Sequence, residues 1–477
     1  MTTTNTPRPF RPATHRLGAL AAALALAAGA PGAWAQAGAA GQAEAGQAGQ
    51  AGQTGQTSQG GQSAESAPAP APAPAASESI FSSTVSPTQL SFTPSYENTS
   101  RSKAPGTMTA PVHGASYGTG GVFLYPAATA SFGHNDNLIG SPDHELVTRF
   151  MSLSPELVAE IKHQGDRYTA SYIGNYTRYA SSTDDNYKHH EFEVAGDNTF
   201  SSRAHLSWLL GYAERSDPRG SNDRSVGSVP DKWHAPTAAL RFSYGSEGAI
   251  GRVELESALQ NKRYDNNRAT TVAADVNVVD TAARFYYRVA PRTRLLVEAR
   301  RIGSDYQFDA SNNDNSDTRL LIGATWEASA ATTGTVKIGG LKKRFDNGVR
   351  ADYSGLSWEA NLRWSPRTYS VLDLTSSKGP TDATGVGDYI LTNYNTLLWT
   401  HDWNEKFATR LNLGLTNSDY HGTIRKDDIK NAGISVSYAL QRWLHLNGDL
   451  TRTQRTSTQA GLDLTRNVLS LSLEGTL

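Results

Sequence analysis

The nine residues LSWEANLRW, 356–364, set Leu356, Trp358, Ala360, Leu362 and Trp364 on one parity and Ser357, Glu359, Asn361 and Arg363 on the other. Apolar groups at every second position mark a β-strand with one apolar and one polar face; a helix of 3.6 residues per turn would scatter them around its axis. AGISVSYAL, 432–440, repeats the pattern, and so does the closing NVLSLSLEGTL, where Leu469, Leu471, Leu473 and Leu477 oppose Ser470, Ser472, Glu474 and Thr476. From about Gly120 to Leu477 such segments follow one another at roughly 20 residues per strand and connection, which predicts about 18 strands (16–18), the first near Val122.

The connections are of two kinds, and the kinds alternate. The short ones are KHQGD after Ile161, GSEG after Tyr244, PRT at Pro291, SPRT at Ser365, NEK at Asn404 and LQR at Leu440. The long ones are rich in Asp, Asn and Gly, as in HNDNLIGSPDH, SDPRGSNDRSVGSVPDK, DNNRATTVAADVN, DASNNDNSD, DNGVRAD, PTDATGVGD and HGTIRKDD. A meander whose two ends face different surroundings has this pattern, whereas a sandwich has no need of it. The fold class predicted is therefore all-β, a transmembrane antiparallel up-and-down barrel, with short turns in the periplasm and long loops outside. Closure leaves no unpaired strand edge in lipid, where each orphaned backbone group would cost several kcal/mol. Only alternate residues need be apolar, so the mean hydropathy of -0.48 is no objection.

Aromatic residues should mark the two membrane interfaces. Trp364, Trp399, Trp403, Trp443 and Phe407 lie beside the short turns, and Tyr179, Tyr264 and Tyr420 near the long loops, which predicts a girdle at each end.

Ahead of the strands stand three other segments. Residues 1–35 read as a secretory signal: Arg8, Arg11 and Arg16 precede the apolar LGALAAALALAAGA, and Ala33-Trp34-Ala35 forms the cleavage site. Residues 36–79, a Gly/Gln/Ala run and then APAPAPAPAASES, read as a flexible coil joined to an extended spacer on the periplasmic side. Residues 80–118 are polar with no assignable element, and 119–477 form the barrel. The balance of 44 Lys and Arg against 45 Asp and Glu, a net charge of -1, with no polybasic stripe, argues against nucleic acid as a partner. With no cysteine, disulfides, thiolate metal sites and Cys nucleophiles are excluded.

The polar parity should face the lumen. It carries Arg241, Arg252, Glu254, Glu256, Arg284, Arg288, Glu298, Arg300, Lys337, Glu359, Arg363, Arg410, His445 and Asp449. So many ionised groups must be hydrated or tightly paired, and a barrel of 16 to 18 strands leaves an aqueous channel. These fourteen residues are the candidates for lining a hydrophilic conduit. Other clusters read more simply. GHNDN, 133–137, lacks the repeated Asp spacing and distal Glu of a cation loop and is read as a polar turn. His189 and His190 sit on opposite faces of a strand and cannot share a metal. Glu254 and Glu256 share a face as a glycosidase pair would, but Arg252 and Arg288 are placed to pair with them. His205 and Ser207 have no nucleophile elbow behind them. No catalytic residue, metal or cofactor is assigned.

GVFLYPAATASFGHNDNL, 121–138, with its Asp136-Asn137 turn, and the hairpins YYRVAPRTRLLVEARR and RWSPRTYSVLDL resemble the outer-membrane family called putative β-barrel porin 2, over about residues 118–477. The resemblance implies an outer-membrane conduit associated with exopolysaccharide export. Its partners would then be outer-membrane lipid and lipopolysaccharide, the barrel assembly machinery that reads the C-terminal strand, a polysaccharide, and periplasmic or inner-membrane export components. A general small-solute porin and a loop scaffold for adhesion are the alternatives. The terminal Leu477 departs from the Phe or Trp common at that position in outer-membrane barrels.

Overall fold

Eighteen long strands run as one antiparallel meander and close on themselves. They are β2 (Val122–Asn135), β3 (Thr148–His163), β4 (Asp166–Tyr179), β5 (Tyr187–Thr199), β6 (Ala204–Asp217), β7 (Asp231–Tyr244), β8 (Gly251–Tyr264), β9 (Val276–Ala290) and β10 (Thr293–Tyr306). The second half comprises β11 (Asn315–Ser329), β12 (Thr332–Phe345), β13 (Tyr353–Arg367), β14 (Ser370–Asp382), β15 (Tyr389–Asp402), β16 (Phe407–Tyr420), β17 (Lys426–Gln441), β18 (Leu444–Ser457) and β19 (Leu464–Thr476). A short β1 (Ala115–Tyr117) precedes them. This is a computed structural model, and it describes residues 115–117 and 121–476 except 222, 225, 226, 247 and 330. The signal segment 1–35, the linker 36–79, most of 80–118 and Leu477 lie outside the described residues.

Each strand pairs with its neighbours in sequence, and β19 pairs with β2 from Thr476↔Ala127 to Val468↔Asn135. Closure of the ring is thus made by the strand that ends the described chain. β19 stops short of the start of β2, and β1 pairs there instead, Ala115↔Leu124 to Tyr117↔Val122. That covers backbone groups which would otherwise form an open edge.

Connections alternate as the spacing predicts. Gln164 and Gly165 join β3 to β4 with positive φ at both positions, 49° and 96°, the tight turn whose twist suits a hairpin. Pro291 and Arg292 alone separate β9 from β10. SPRT does not turn at its proline: β13 runs on to Arg367 after a register shift, and the turn follows it. At the other end, loops such as 218–230 and 265–275 are long.

The apolar parity faces outward. Leu469, Leu471 and Leu473 are 56%, 55% and 43% exposed, and Leu320, Ile322, Leu295 and Val297 are exposed likewise. Trp364, Trp403 and Trp443 lie exposed at the short-turn end, as one girdle requires. The second girdle is not where the sequence places it. Tyr179, Tyr264 and Tyr420 are all buried and stand on the inward parity. Each ends a strand at the loop rim and packs into the mouth: Tyr179 joins Leu138, Phe150 and Val468, and the Tyr264 hydroxyl donates to Asp217 at 2.8 Å. Nearness to a long loop fixes height on the wall, while parity decides the face.

Candidate functional site

Eight of the fourteen inward charges join in one ladder along the wall. Arg284 on β9 reaches three carboxylates, Glu254 at 2.5 Å and Glu256 at 3.0 Å on β8 and Glu298 at 2.5 Å on β10. Arg241 on β7 adds a contact to Glu256 at 2.9 Å, and Arg252 one to Glu254 at 3.4 Å. From Glu298 the ladder passes to Lys337 on β12 at 3.1 Å and on to Glu359 on β13 at 2.5 Å. Cross-strand neighbours on one face lie about 5 Å apart, so an arginine side chain spans to either adjacent strand. Glu254 and Glu256 are held by Arg241, Arg252 and Arg284, with Arg284 and Arg241 in the place assigned from the sequence to Arg288, which accounts for the pair as charge balance.

Two more candidates pair separately, Arg300 with Asp280 and Arg363 with Asp373 at 2.8 Å. The remaining four are not drawn into these pairs. Arg288 is half-buried near the short-turn end. Arg410 is half-buried with no hydrogen-bond partner at Nε, Asp449 stands on the inward parity of β18, and His445 is buried. Several partners were not singled out in the sequence, among them Asp280, Asp317, Arg319, Lys343 and Asp382. Arg319 meets Glu359 at 3.3 Å, and Lys343 sits fully buried between Asp317, at 3.1 Å, and Asp382. Parity alone would have flagged Asp280, Asp317, Arg319 and Lys343, which fall on the inward face; Asp382, at the end of β14, falls on the other parity.

The pairs are stacked in depth. Side-chain exposure is 35% for Arg241 against 6% for Glu256, 30% for Arg252 against 9% for Glu254, and 12% for Lys337 against 0% for Glu298. A guanidinium on a long stem projects past a short carboxylate anchored nearby, so Arg241 and Arg252 stand nearer the passage than the glutamates they hold; Glu359, 12% exposed like its partner Lys337, and Asp373, level with Arg363, do not follow that order. At the mouth, around Lys343 and Asp382, the order is reversed.

The other sequence clusters are occupied structurally. Asn137 donates to the carbonyls of Ser141 and Thr465, and Asp136 accepts from Asn467, so GHNDN is the end of β2 and the start of its loop, tied to the neighbouring β19. His189 contacts Ser216 on the inner face and His190 contacts Tyr172 on the outer. His205 contacts Thr199.

Across the mouth lies a strap. The loop 218–230, between β6 and β7, meets the loop between β14 and β15, eight strands away by one route round the ring and ten by the other, so these contacts cross the opening. Asp223 accepts from the Thr384 backbone at 2.8 Å, the Thr384 hydroxyl at 2.8 Å and the Gly385 backbone at 2.7 Å. Gly385 has to be glycine here, because a Cβ would lie 2.1 Å from the Asp223 carbonyl oxygen. Arg224 contacts Asp231 at 2.8 Å and stacks 4.6 Å over the Tyr264 ring. Burial works against its charge, but Tyr264, Asp231 and Asp217 outweigh it and raise its pKa above the ordinary arginine value. Elsewhere Arg219 forks onto Asp185, and Arg455 of β18 donates to the Gly220 carbonyl at 3.2 Å. No signal in the sequence pairs 223 with 384.

Asp223→Ala removes three charge-assisted contacts, each worth on the order of 1.5–3 kcal/mol. The strap should come away from the far rim, and single-channel conductance should rise. Gly385→Val, a wedge from the opposite side, should do the same. Wild-type conductance in both variants would place the strap outside the current path.

A model of the family described as Putative beta-barrel porin 2 matches residues 111–476. No curated protein matches the chain. Among solved structures, the chain is similar to a BenF-like porin from Pseudomonas fluorescens Pf-5, with 10% identity, TM-score 0.44, and coverage of 75% of this chain and 99% of that one. It is similar also to OccK2 (OpdF) of Pseudomonas aeruginosa, with 13% identity, TM-score 0.43 and coverage of 75% and 98%. A bacterial polysaccharide outer membrane secretin shows 10% identity, TM-score 0.33 and coverage of 74% and 98%.

Proposed function

The chain belongs to the Putative beta-barrel porin 2 family and is a porin-like outer-membrane barrel, and from that premise we propose that it is a passive conduit for anionic hydrophilic cargo, first of all an acidic exopolysaccharide leaving the cell. The depth order at β7 and β8 carries the reading: the total charge is balanced, yet Arg241 and Arg252 stand nearest the passage, with Glu256 and Glu254 behind them. Cations spread along a wall attract an acidic chain weakly at many points, so it is drawn in without being trapped. The periplasmic linker, the polysaccharide and the export components belong to the same proposal. The strap favours a second cargo, small hydrophilic solutes, since it divides the opening that a polymer must clear.

Reversal potentials across planar bilayers in a salt gradient test the charge preference. The wild-type barrel should select anions, and Arg241→Glu with Arg252→Glu should move the selectivity toward cations. A cation-selective wild type would overturn the reading, and a closed barrel would leave only the scaffold for adhesion. Proteoliposomes then separate the cargoes: uptake of acidic oligosaccharides supports the polymer, and uptake confined to mono- and disaccharides supports the solute porin.

A further inference from the structure

On the outer wall toward the long loops, four strands bring cations and hydroxyls into one row. Arg301 of β10 is opposite Thr318 of β11, Thr318 is opposite Lys342 of β12, and Lys342 is opposite Ser354 of β13. One pleat nearer the loops, Arg344 is opposite Ser316. All six point outward by parity, since Lys343 between Lys342 and Arg344 is fully buried and Arg300 beside Arg301 is buried too. Arg301, Lys342 and Arg344 are exposed, and among the described residues none of them has an ion-pair partner. The same strands carry exposed Leu295, Val297, Leu320, Ile322 and Ile338 nearer the short turns, so the row sits at the upper border of the lipid-facing band.

Scattered cations at a membrane border reach for water and need no partner. This row differs in being clustered. Arg301 and Lys342 are two strands apart, about 10 Å, with Arg344 beside Lys342, and like charges so placed repel unless an anion lies between them. Beyond them stand the loop carboxylates Asp314 and Asp346, but these do not close on the cations. Burial first, and then Asp305, Asp346 and Asp309, raise the Asp314 pKa above the ordinary carboxylate value, so the acidic row repels itself. On the inner wall of the same strands Arg300, Arg319 and Lys343 have carboxylates at contact distance. The outer row has hydroxyls instead, and guanidinium, ammonium and hydroxyl donors facing lipid are matched by phosphate oxygens.

We infer that the outer face of β10–β13 docks the phosphate of a phosphorylated lipid headgroup in the leaflet at the long-loop end. The inference rests on the outer-membrane placement and is independent of what the lumen conducts. Charge complementarity selects the occupant: three cations and three hydroxyls at the border of an apolar band fit an anionic headgroup whose acyl chains continue down that band.

The test uses the full chain in zwitterionic detergent, with native mass spectrometry reading retained lipid. The probe is a bisphosphorylated glucosamine-disaccharide lipid, compared with its dephosphorylated form. Wild type should retain the phosphorylated probe at least about tenfold better. Arg301→Ser, Lys342→Ser and Arg344→Ser combined should remove that preference, while Lys342→Arg keeps it. Inorganic phosphate should not displace the lipid; displacement at low millimolar levels would show a free-anion site and overturn the assignment. Equal retention of both lipids by wild type overturns it without any variant, so misfolding of the triple variant leaves the inference testable. Conductance unchanged alongside lost lipid retention would separate this surface from the conduit.

Discussion

Leu471→Arg is expected to lower the stability of the inserted barrel by roughly 2 to 4 kcal/mol, the cost of a cation near the middle of the lipid-facing band. Leu471 lies midway along β19, is 55% exposed, and stands opposite Phe132 of β2 on the closing seam. Its effect therefore falls on the contact that makes a sheet into a ring. Removing β19 altogether should abolish assembly, because β2 and β18 would both face lipid with unpaired backbone groups. A heat-modifiable band on unboiled gels and the urea midpoint in lipid report both. Ser472 is too tightly covered, at 8% exposure, to serve as the tolerant inward control, and Ser470, only half-buried, serves better. If Leu471→Arg and Ser470→Arg unfold at the same urea concentration, the assignment of the two faces is wrong.

Lys343→Met should cost about 3 to 5 kcal/mol, the usual penalty for taking one member from a buried ion cluster. The Lys343 ammonium is fully buried and holds Asp317, Asp382 and the Asn315 side-chain oxygen, the last at 2.7 Å. Without it two carboxylates remain in a dry corner with one cation the fewer. The methionine fills the same volume, so the loss reads charge and not packing. Asp317→Asn with Asp382→Asn on the Lys343→Met background should restore most of the stability, since the orphaned charges then vanish. A single variant as stable as wild type would mean that water reaches the corner.

The fold was legible to an unusual depth because it depends on two local rules. Parity along LSWEANLRW and NVLSLSLEGTL tells which side meets lipid, and it does so at every strand since a slip of one residue would turn every leucine inward. The alternation of PRT-like turns with Asp/Asn/Gly loops tells that the strands form a meander, and an even count brings first and last together. The same parity also puts all fourteen candidate charges on the inner wall. Proximity to a connection was a weaker guide: it placed Trp364, Trp403 and Trp443 at the lipid interface correctly, but it also assigned Tyr179, Tyr264 and Tyr420 there, and their parity turns these into the mouth.

What the sequence by itself determined, then, was a meander of about 18 strands, their order, the two faces and the closure by the last strand, all consequences of a period of two and of turn chemistry. Tertiary structure alone decided which inward charges meet, that Arg241 and Arg252 cover Glu256 and Glu254, and that the strap of Asp223 and Arg224 reaches Thr384 and Gly385 across the opening. A pairing between adjacent strands is set by register and can be read one residue at a time. A contact between loops eight strands apart depends on the diameter and tilt of the closed ring, quantities that no local periodicity contains.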